Sequence, residues 1–371
     1  MSDIYNIAKS GLKTYKEGLA TTGQNIANVG NEAYARREIQ ISEVKSGSAD
    51  VLQMSDNISF GVKIDGIVRA FDQYIEMQLH DAKSGFNYSK SKTEILNRLE
   101  NAVRPAEGSV SQRLNEFFQS LNDVALDPSD LISRTSALDT AKSVASSMRN
   151  VAVGVNDLRD LISASIEESV ADTNLIIRQL SSIQKEVLGN SSPNSARNDL
   201  LDQRDALVSK LSEFVDIKVQ YKAGGEIEIL SGTFGQGQPL LSQFEVKEFD
   251  VKNVDGKNKI FLGNVDGQGA IQVQLPSGKI SGLLASDTTL SEVKENLDAL
   301  AMKFAEEMSE LNQVGVDLNG DIGTRIFSLD SVSIQKTSTR NSDVQLQISG
   351  FSDDLVGEAH TVSYSADSGS W

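Results

Sequence analysis

The sequence predicts an α+β chain of several domains, in which an N-terminal coiled-coil helix leads into an elongated antiparallel helical bundle and then into β-rich outer domains. Three observations support this class. Apolar residues near the N-terminus recur three and four positions apart, proline-free helical periodicity covers residues 133–188, and short apolar runs separated by glycines follow residue 215. A chain of 371 residues is long enough for two or three domains.

The N-terminal segment carries an apolar stripe, which we call the N-terminal seam. Its period of about 3.5 residues predicts a helix that winds against another helix. The neighbouring positions hold Gly11, Gly18, Gly23 and Asn25, and three interior glycines destabilise an isolated helix by roughly 3 kcal/mol relative to alanine. We expect a segment that orders when it docks; the alternative is an ordinary amphipathic helix packed on its own domain. The seam consists of Tyr5, Ala8, Leu12, Tyr15, Leu19, Thr22, Ile26 and Val29.

Changes of pattern along the chain predict five segments. They are an assembly helix at 1–36, loop and short strands at 37–83, a helical bundle at 84–214 together with about 286–313, a β-rich domain at 215–285, and a β-like segment of an incomplete outer domain at 314–371.

Periodicity and turn residues place the individual elements. Helical pattern starts near Ser84, and Pro105 and Asp127-Pro128 end the first two helices. The long helix at 133–188 has a possible break at Gly154 or within 163–169. Further elements are helices at 196–214 and 289–311 and strands at 217–221, 227–230, 246–251, 260–262, 271–275 and 344–348.

Composition excludes several classes of function. The net charge is −17 at a sequence pI near 4.6, which opposes binding to nucleic acid or anionic lipid. The chain has no cysteine, so disulfides and thiolate chemistry are excluded. It has no basic, apolar signal peptide and no apolar stretch of about 18 residues, so we expect no membrane insertion.

Few residues suggest chemistry, and we expect no cofactor, metal or catalytic residue. The two histidines, His80 and His360, are far apart in the sequence. Residues 317–321 resemble a calcium loop, but Ile322 stands where the loop needs glycine and Ser328 where it needs glutamate, so a plain Asn-Gly turn is expected.

A second acidic cluster lies in the helix at 196–214. Asp202 and Asp205 would be the carboxylates of a hydrolase, or they pair with Arg204, Arg197 or Lys210 across helix turns. We favour the ion pairs, and therefore a protein that is not an enzyme.

Three ordered stretches resemble a known family. Residues 10–28 resemble the N-terminus of bacterial flagellar axial proteins, although Asn31 and Ala33 replace the threonine and glycine that usually follow. Residues 198–212 and the stretches within 277–327 are similar to the family of flagellar hook-associated protein 1, the hook–filament junction proteins. The motif residues are Asn25, Ile26, Ala27, Asn28, Tyr34, Leu201, Asp202, Gln203, Arg204 and Asp205.

The resemblance implies a structural protein of the bacterial flagellum. Its expected partners are other copies of itself, the hook protein, the next hook-associated protein toward the filament, the flagellar export apparatus and a chaperone. Export without a cleaved signal peptide places it outside the cell.

Family members pair the N-terminal helix with a C-terminal helix. Residues 328–371 do not match that helix, so we expect a C-terminal truncation. The alternatives are a secreted binding or adhesive protein and another axial protein of hook or rod.

Overall fold

The computed structural model describes residues 2–31, 33–45, 59–105, 108–190, 195–232, 237–254, 256–263, 269–317 and 319–327. Within these residues the fold is α+β, as the sequence predicts. The helices are α1 Ser2–Ala27, α2 Gln73–Val103, α3 Val110–Leu126, α4 Leu131–Gly189, α5 Ser195–Phe214 and α6 Lys279–Val314. The strands are β1 Arg37–Lys45, β2 Ser59–Arg69, β3 Ile217–Tyr221, β4 Ile227–Ser231, β5 Gln238–Ser242, β6 Glu245–Val246, β7 Phe249–Val254, β8 Lys257–Leu262 and β9 Ile271–Gln272.

The chain divides into two compact units. The first unit contains the described residues of 1–90, 166–252 and 260–282, and the second contains those of 91–165, 253–259 and 283–371. Among the described residues, no helix is both long and apolar enough to cross a membrane.

The first unit contains two antiparallel sheets and the helices that cover them. Strands β1 and β2 form a hairpin, with Arg37 opposite Arg69 and Ile39 opposite Ile67. Strands β3, β4, β5 and β6 form a meander in that order. The meander, α4 and α5 all contribute buried apolar residues. They are Ile177 and Leu180 of α4, Leu211 of α5, and Ile227, Ile229, Leu240 and Leu241 of the strands.

Amide side chains of α4 pair with the backbone of neighbouring strands. Asn174 Nδ2 donates to the carbonyl of Phe249 over 2.8 Å and Asn174 Oδ1 accepts from the amide of Phe249 over 2.8 Å. Gln184 Oε1 accepts from the amide of Ile227 over 3.0 Å. These bonds satisfy strand edges that water cannot reach.

The core of the second unit is aromatic. Phe117 is almost completely buried beside Ala141, Val144 and Met148. Its ring lies 6.0 Å from that of Phe304 in an edge-to-face arrangement, a favourable geometry for aromatic pairs.

Several predicted boundaries are wrong. Helix α2 begins at Gln73, not near Ser84, because the Asp72 carboxylate accepts a hydrogen bond from the amide of Tyr74 over 2.9 Å and caps the helix. Helix α6 begins at Lys279, not near residue 289. The missed part of α2 buries His80 and Ser84, so no inward apolar period marks it. In the missed part of α6, the buried Ile280 and Leu283 are followed by the buried polar residues Ser286 and Asp287, which interrupt the apolar period.

Other differences concern continuity. Helix α4 is unbroken from Leu131 to Gly189. Gly154 lies within it, and a Cβ there would make an ordinary contact, 3.5 Å from the Cβ of Ala102. The strand predicted at 246–251 is divided between β6 and β7, and β5 was not predicted. The strand predicted at 344–348 lies outside the described residues.

Gly278 provides a test of the packing where α6 begins. Its φ is +95°, its amide donates to the carbonyl of Ser84 over 3.1 Å, and a Cβ would lie 2.4 Å from the carbonyl oxygen of Phe214. Gly278→Ala should lower the free energy of unfolding by about 3 kcal/mol, because strain at positive φ adds to a backbone clash. Urea denaturation measures the change.

The matched control is Gly224→Ala. Gly224 has a φ of +77° but open space around its Cβ position, so this change should cost only about 1 kcal/mol. Equal effects of the two substitutions would contradict the packing argument.

Candidate functional site

Helix α1 turns its small and polar residues toward its own hairpin. Thr14 and Thr21 are buried, Gly11, Gly18 and Asn25 are half-buried, and α1 packs on β1 and β2. A Cβ at Gly18 would lie 3.8 Å from Cδ1 of Ile39. The face of α1 that packs within the first unit is therefore the one that carries glycine and threonine.

All eight residues of the N-terminal seam are exposed. The exposed fraction of the six large ones ranges from 69% for Ile26 to 89% for Val29. Isolated exposed apolar residues are common, but a contiguous row of them marks an interaction surface.

Helix α1 ends before the last seam residue. It ends at Ala27, so Val29 lies in the following turn, where its amide bonds to the carbonyl of Ile26 over 3.3 Å. Such an i→i−3 bond tightens a helix end, and Asn28 and Gly30 favour a turn there.

Ser10 attaches the first half of α1 to the hairpin. Its hydroxyl donates to the carbonyl of Ile7 over 2.8 Å and accepts from the amide of Val62 over 3.3 Å. Gly61 lies beside it with a φ of +107°, and a Cβ there would lie 2.3 Å from the Ser10 hydroxyl. Only glycine at 61 allows the strand to come this close.

Asn25 attaches the second half of α1. Its Nδ2 donates to the carbonyl of Arg37 over 3.0 Å, and its Oδ1 accepts from the amide of Arg37 over 2.9 Å. The Tyr34 hydroxyl also donates to this oxygen over 2.9 Å. Asn25 thus satisfies the backbone of β1 as a neighbouring strand would.

Two arginines of the hairpin meet the acidic residues of α5, and we call these side chains the polar anchor. Asp202 lies 2.6 Å from Nε of Arg69 and 3.3 Å from Nη2 of Arg37. Asp205 accepts from Nη2 of Arg69 over 2.6 Å, and Asp199 also pairs with Arg37. The anchor consists of Arg37, Arg69, Asp199, Asp202 and Asp205.

The polar anchor is buried at its centre. The side chains of Arg37, Arg69 and Asp202 are 4%, 7% and 9% exposed. Burial raises the pKa of Asp202, and the charges of Arg69 and Arg37 oppose that rise. Removing one partner from such a cluster leaves the buried charges only partly compensated.

This geometry assigns Asp202 and Asp205 to ion pairs, as we favoured. Asp205 pairs with Arg204, whose Nη2 lies 2.7 Å away. The partners of Asp202 come from the hairpin, which the helix-turn prediction missed. The pairing of β1 with β2 explains this contact. It places Arg37 directly opposite Arg69, and like charges in that arrangement repel each other unless carboxylates lie nearby.

The structure brings most of the motif residues together in the first unit. Asn25 and Tyr34 are hydrogen-bonded, and Asp202, Arg204 and Asp205 lie in or beside the polar anchor. Ile26, Ala27 and Gln203 are exposed, whereas Asn28 and Leu201 are half-buried. Asn198 was missed; its Nδ2 donates to the carbonyl of Ile67 over 2.7 Å.

An open groove of about 960 Å³ lies beside the anchor. Gln24, Asn28 and Tyr34 form one side, and Gln203 and Leu207 of α5 belong to the other. Most of the residues that line it carry polar or charged side chains.

The other candidate sites have local structural roles. The Asp317 carboxylate accepts from the amides of Asn319 and Asp321 over 2.7 and 2.9 Å, and these bonds lower its pKa. His80 is buried, which lowers its pKa, and His360 lies outside the described residues. The described part of the chain contains no cluster of three metal-ligating side chains.

Comparison with known families gives a match over more than half of the chain. The model of the helical domain of flagellar hook-associated protein FlgK matches residues 96–327.

Individual relatives agree with this match. The chain is 24% identical to flagellar hook-associated protein 1 of Escherichia coli K12 over 354 residues, which cover 93% of this chain and 63% of the relative. It is 25% identical to the Bacillus subtilis 168 protein of the same name over 351 residues, which cover 86% and 69%.

A solved structure is also similar, the flagellar hook junction protein FlgK from Burkholderia pseudomallei. The TM-score is 0.60 at 25% identity, covering 67% of this chain and 46% of that one. The chain spans about three fifths of the length of the E. coli protein.

The polar anchor is tested by Asp202→Asn, which keeps the shape and removes the charge. Because Arg37 and Arg69 would keep buried charges without this partner, the free energy of unfolding should fall by about 3 kcal/mol. Amide protons of β1 and β2 should exchange faster with solvent. Urea denaturation and hydrogen exchange measure the two effects.

Asp139→Asn is the matched control. Asp139 pairs with Lys142 over 3.0 Å with both side chains exposed, so the loss should stay below about 0.5 kcal/mol. Unchanged exchange in the hairpin of Asp202→Asn would show that the anchor does not hold it.

Proposed function

Since the chain belongs to the FlgK family of flagellar hook-associated proteins, we propose that it is a structural adaptor of the flagellar axis that joins hook to filament. In this proposal it assembles through its N-terminal helix. The exposed N-terminal seam is the observation that carries the proposal.

The seam has the apolar content that helix pairing requires. Burying a leucine, isoleucine or similar side chain contributes roughly 1.5–3 kcal/mol, and six large side chains of the seam are exposed. Association of two molecules costs about 4–15 kcal/mol in lost freedom. The free energy of a single helix pairing is therefore small, and several simultaneous contacts in a polymer make association favourable.

The opposite face of α1 gives the seam a fixed direction. Ser10 and Asn25 bind α1 to the hairpin, and the polar anchor binds the hairpin to α5. Because these bonds use the small and polar face, the apolar face stays available for another helix.

The partners in this proposal are other copies of the chain, the hook protein and the next hook-associated protein toward the filament. The flagellar export apparatus and a chaperone would deliver the protein outside the cell without cleavage of a signal peptide. The helical bundle and the β-rich domain would form outer layers around the N-terminal helices. The family membership and the exposed seam support this arrangement.

The seam is tested by the double substitution Leu12→Asp with Leu19→Asp. Two charges about two helical turns apart on the seam should reduce incorporation into flagella more than tenfold, because buried carboxylates without partners oppose pairing. Detached flagella from cells that express the variant are assayed by immunoblot. Circular dichroism and urea denaturation of the purified variant should match the unsubstituted protein, since both leucines are exposed.

The control is Lys13→Asp with Ala20→Asp, which places two charges with the same spacing one position away from the seam. Both residues are exposed, so this variant should incorporate normally. If the seam variant incorporates as well as this control, the proposed role of the seam is wrong.

A further inference from the structure

The first turns of α2 are attached to the rest of the first unit through polar side chains. The Lys83 ammonium group donates to the hydroxyl of Ser209 in α5 over 2.6 Å, and the hydroxyls of Ser84 and Ser277 form a hydrogen bond. His80 lies on the same face of the helix, three positions before Lys83 and four before Ser84, and is 3% exposed. This attachment therefore includes a side chain of the type that titrates near neutral pH.

One nitrogen of the His80 imidazole is buried without a hydrogen-bond partner among the described residues. It is Nε2, and Oε2 of Glu76, one turn earlier on α2, lies 3.8 Å from it, too far for a hydrogen bond. Burial lowers the pKa of His80, and burial raises the pKa of Glu76. Glu76 therefore becomes neutral at a higher pH than an ordinary glutamate, so it offers less negative charge to a protonated imidazole.

The other carboxylates near this imidazole are bound to other cations. Asp205 of α5 accepts from Arg69 over 2.6 Å and from Arg204 over 2.7 Å. Asp81 of α2 accepts from Lys218 of β3 over 2.6 Å. Both carboxylates attract a positive charge on the imidazole, but each already compensates at least one basic side chain.

Basic groups on the neighbouring elements oppose protonation of His80. Lys83 of α2 and Lys218 of β3 both disfavour a positive charge on the imidazole, and Arg69 of β2 already uses the carboxylate of Asp205. A buried charge without a partner is costly, so such a group stays neutral or becomes exposed. The neutral imidazole is therefore the form that fits the closed structure.

We propose that His80 makes the attachment of residues 73–90 sensitive to mild acid: when the imidazole gains a proton, this stretch of α2 separates from α5 and β3. The inference goes beyond the proposed function, because it concerns the folded chain alone and holds whether or not the chain assembles. Strand β2 ends at Arg69 and α2 begins at Gln73. The stretch that opens is therefore next to the hairpin on which α1 packs.

The direction of the pH dependence follows from the pKa of His80, which is lower in the folded chain than the ordinary imidazole value of about 6.5. The open stretch binds the proton more readily than the closed one. The closed form therefore has its full stability above about pH 6.5 and loses it as the pH falls from there toward the folded pKa. Protonation of Glu76 acts in the opposite direction, because its pKa is raised in the closed form.

Nuclear magnetic resonance of carbon-13-labelled histidine measures the titration directly, because the chain has only two histidines, His80 and His360. The variant His360→Gln assigns the two imidazole signals. We expect His80 in the folded chain to titrate below about 6.5, the ordinary value. Titration of His80 at or above that value would overturn the inference.

Hydrogen exchange of the purified chain at about pH 7.5 and about pH 5.5 measures the opening of residues 73–90, after correction for intrinsic exchange rates. The opening equilibrium should rise several-fold at the lower pH, with a limit of about tenfold set by the ordinary imidazole pKa. His80→Gln, whose side chain stays neutral, should remove this rise. The matched control His360→Gln should keep it.

Glu76→Gln separates the effect of the carboxylate from that of the imidazole. This variant should keep the acid response, because the opposing contribution of Glu76 is removed and that of His80 remains. An acid response that persists unchanged in His80→Gln, or that disappears in Glu76→Gln, contradicts the proposed role of His80. If circular dichroism shows that His80→Gln does not fold, the histidine titration of the unsubstituted chain decides.

Discussion

The position of the N-terminal helix depends on the ion pairs between Arg37, Arg69 and the carboxylate of Asp202. The two arginines lie opposite each other on the hairpin, where they repel. The carboxylate of Asp202 lies between them, 3.3 Å from Arg37 and 2.6 Å from Arg69, and offsets that repulsion. The charges of the two hairpin arginines are therefore compensated only when the hairpin lies on α5. Since α1 packs on the hairpin, the direction of the N-terminal seam follows from these charges.

Polar side chains attach α1, and part of α4, to the strands of the first unit. Asn25, Asn174 and Gln184 each bond to strand backbone, and Ser10 bonds to the amide of Val62. Such bonds contribute only about 1 kcal/mol each, but they fix direction and leave a large penalty when a partner is lost. In α1 these bonds use the small and polar face, and the N-terminal seam is exposed within the described residues.

Sequence patterns predicted the elements that bury apolar residues at a regular period. Helices α3 and α5 and strands β3 and β4 lie close to their predicted ranges, because residues such as Phe117, Leu211 and Ile229 mark their inner faces. The starts of α2 and α6 were missed, since buried polar residues such as Ser84 and Ser286 interrupt the inward apolar period there. The seam was visible as a row of residues, but its exposure and the role of Arg37 depend on the pairing of β1 with β2, which no local pattern specifies.

The composition of the seam predicts a weak helix contact. Three leucine or isoleucine residues alternate with tyrosine, alanine and threonine, so the seam is less apolar than that of a stable two-stranded zipper. In the proposed assembly, neighbours already aligned in a growing structure would supply the effective concentration that favours pairing of such a seam. Gly11 and Gly18 add to this effect. They weaken the helix in isolation, and packing on the hairpin holds α1 in a helical conformation.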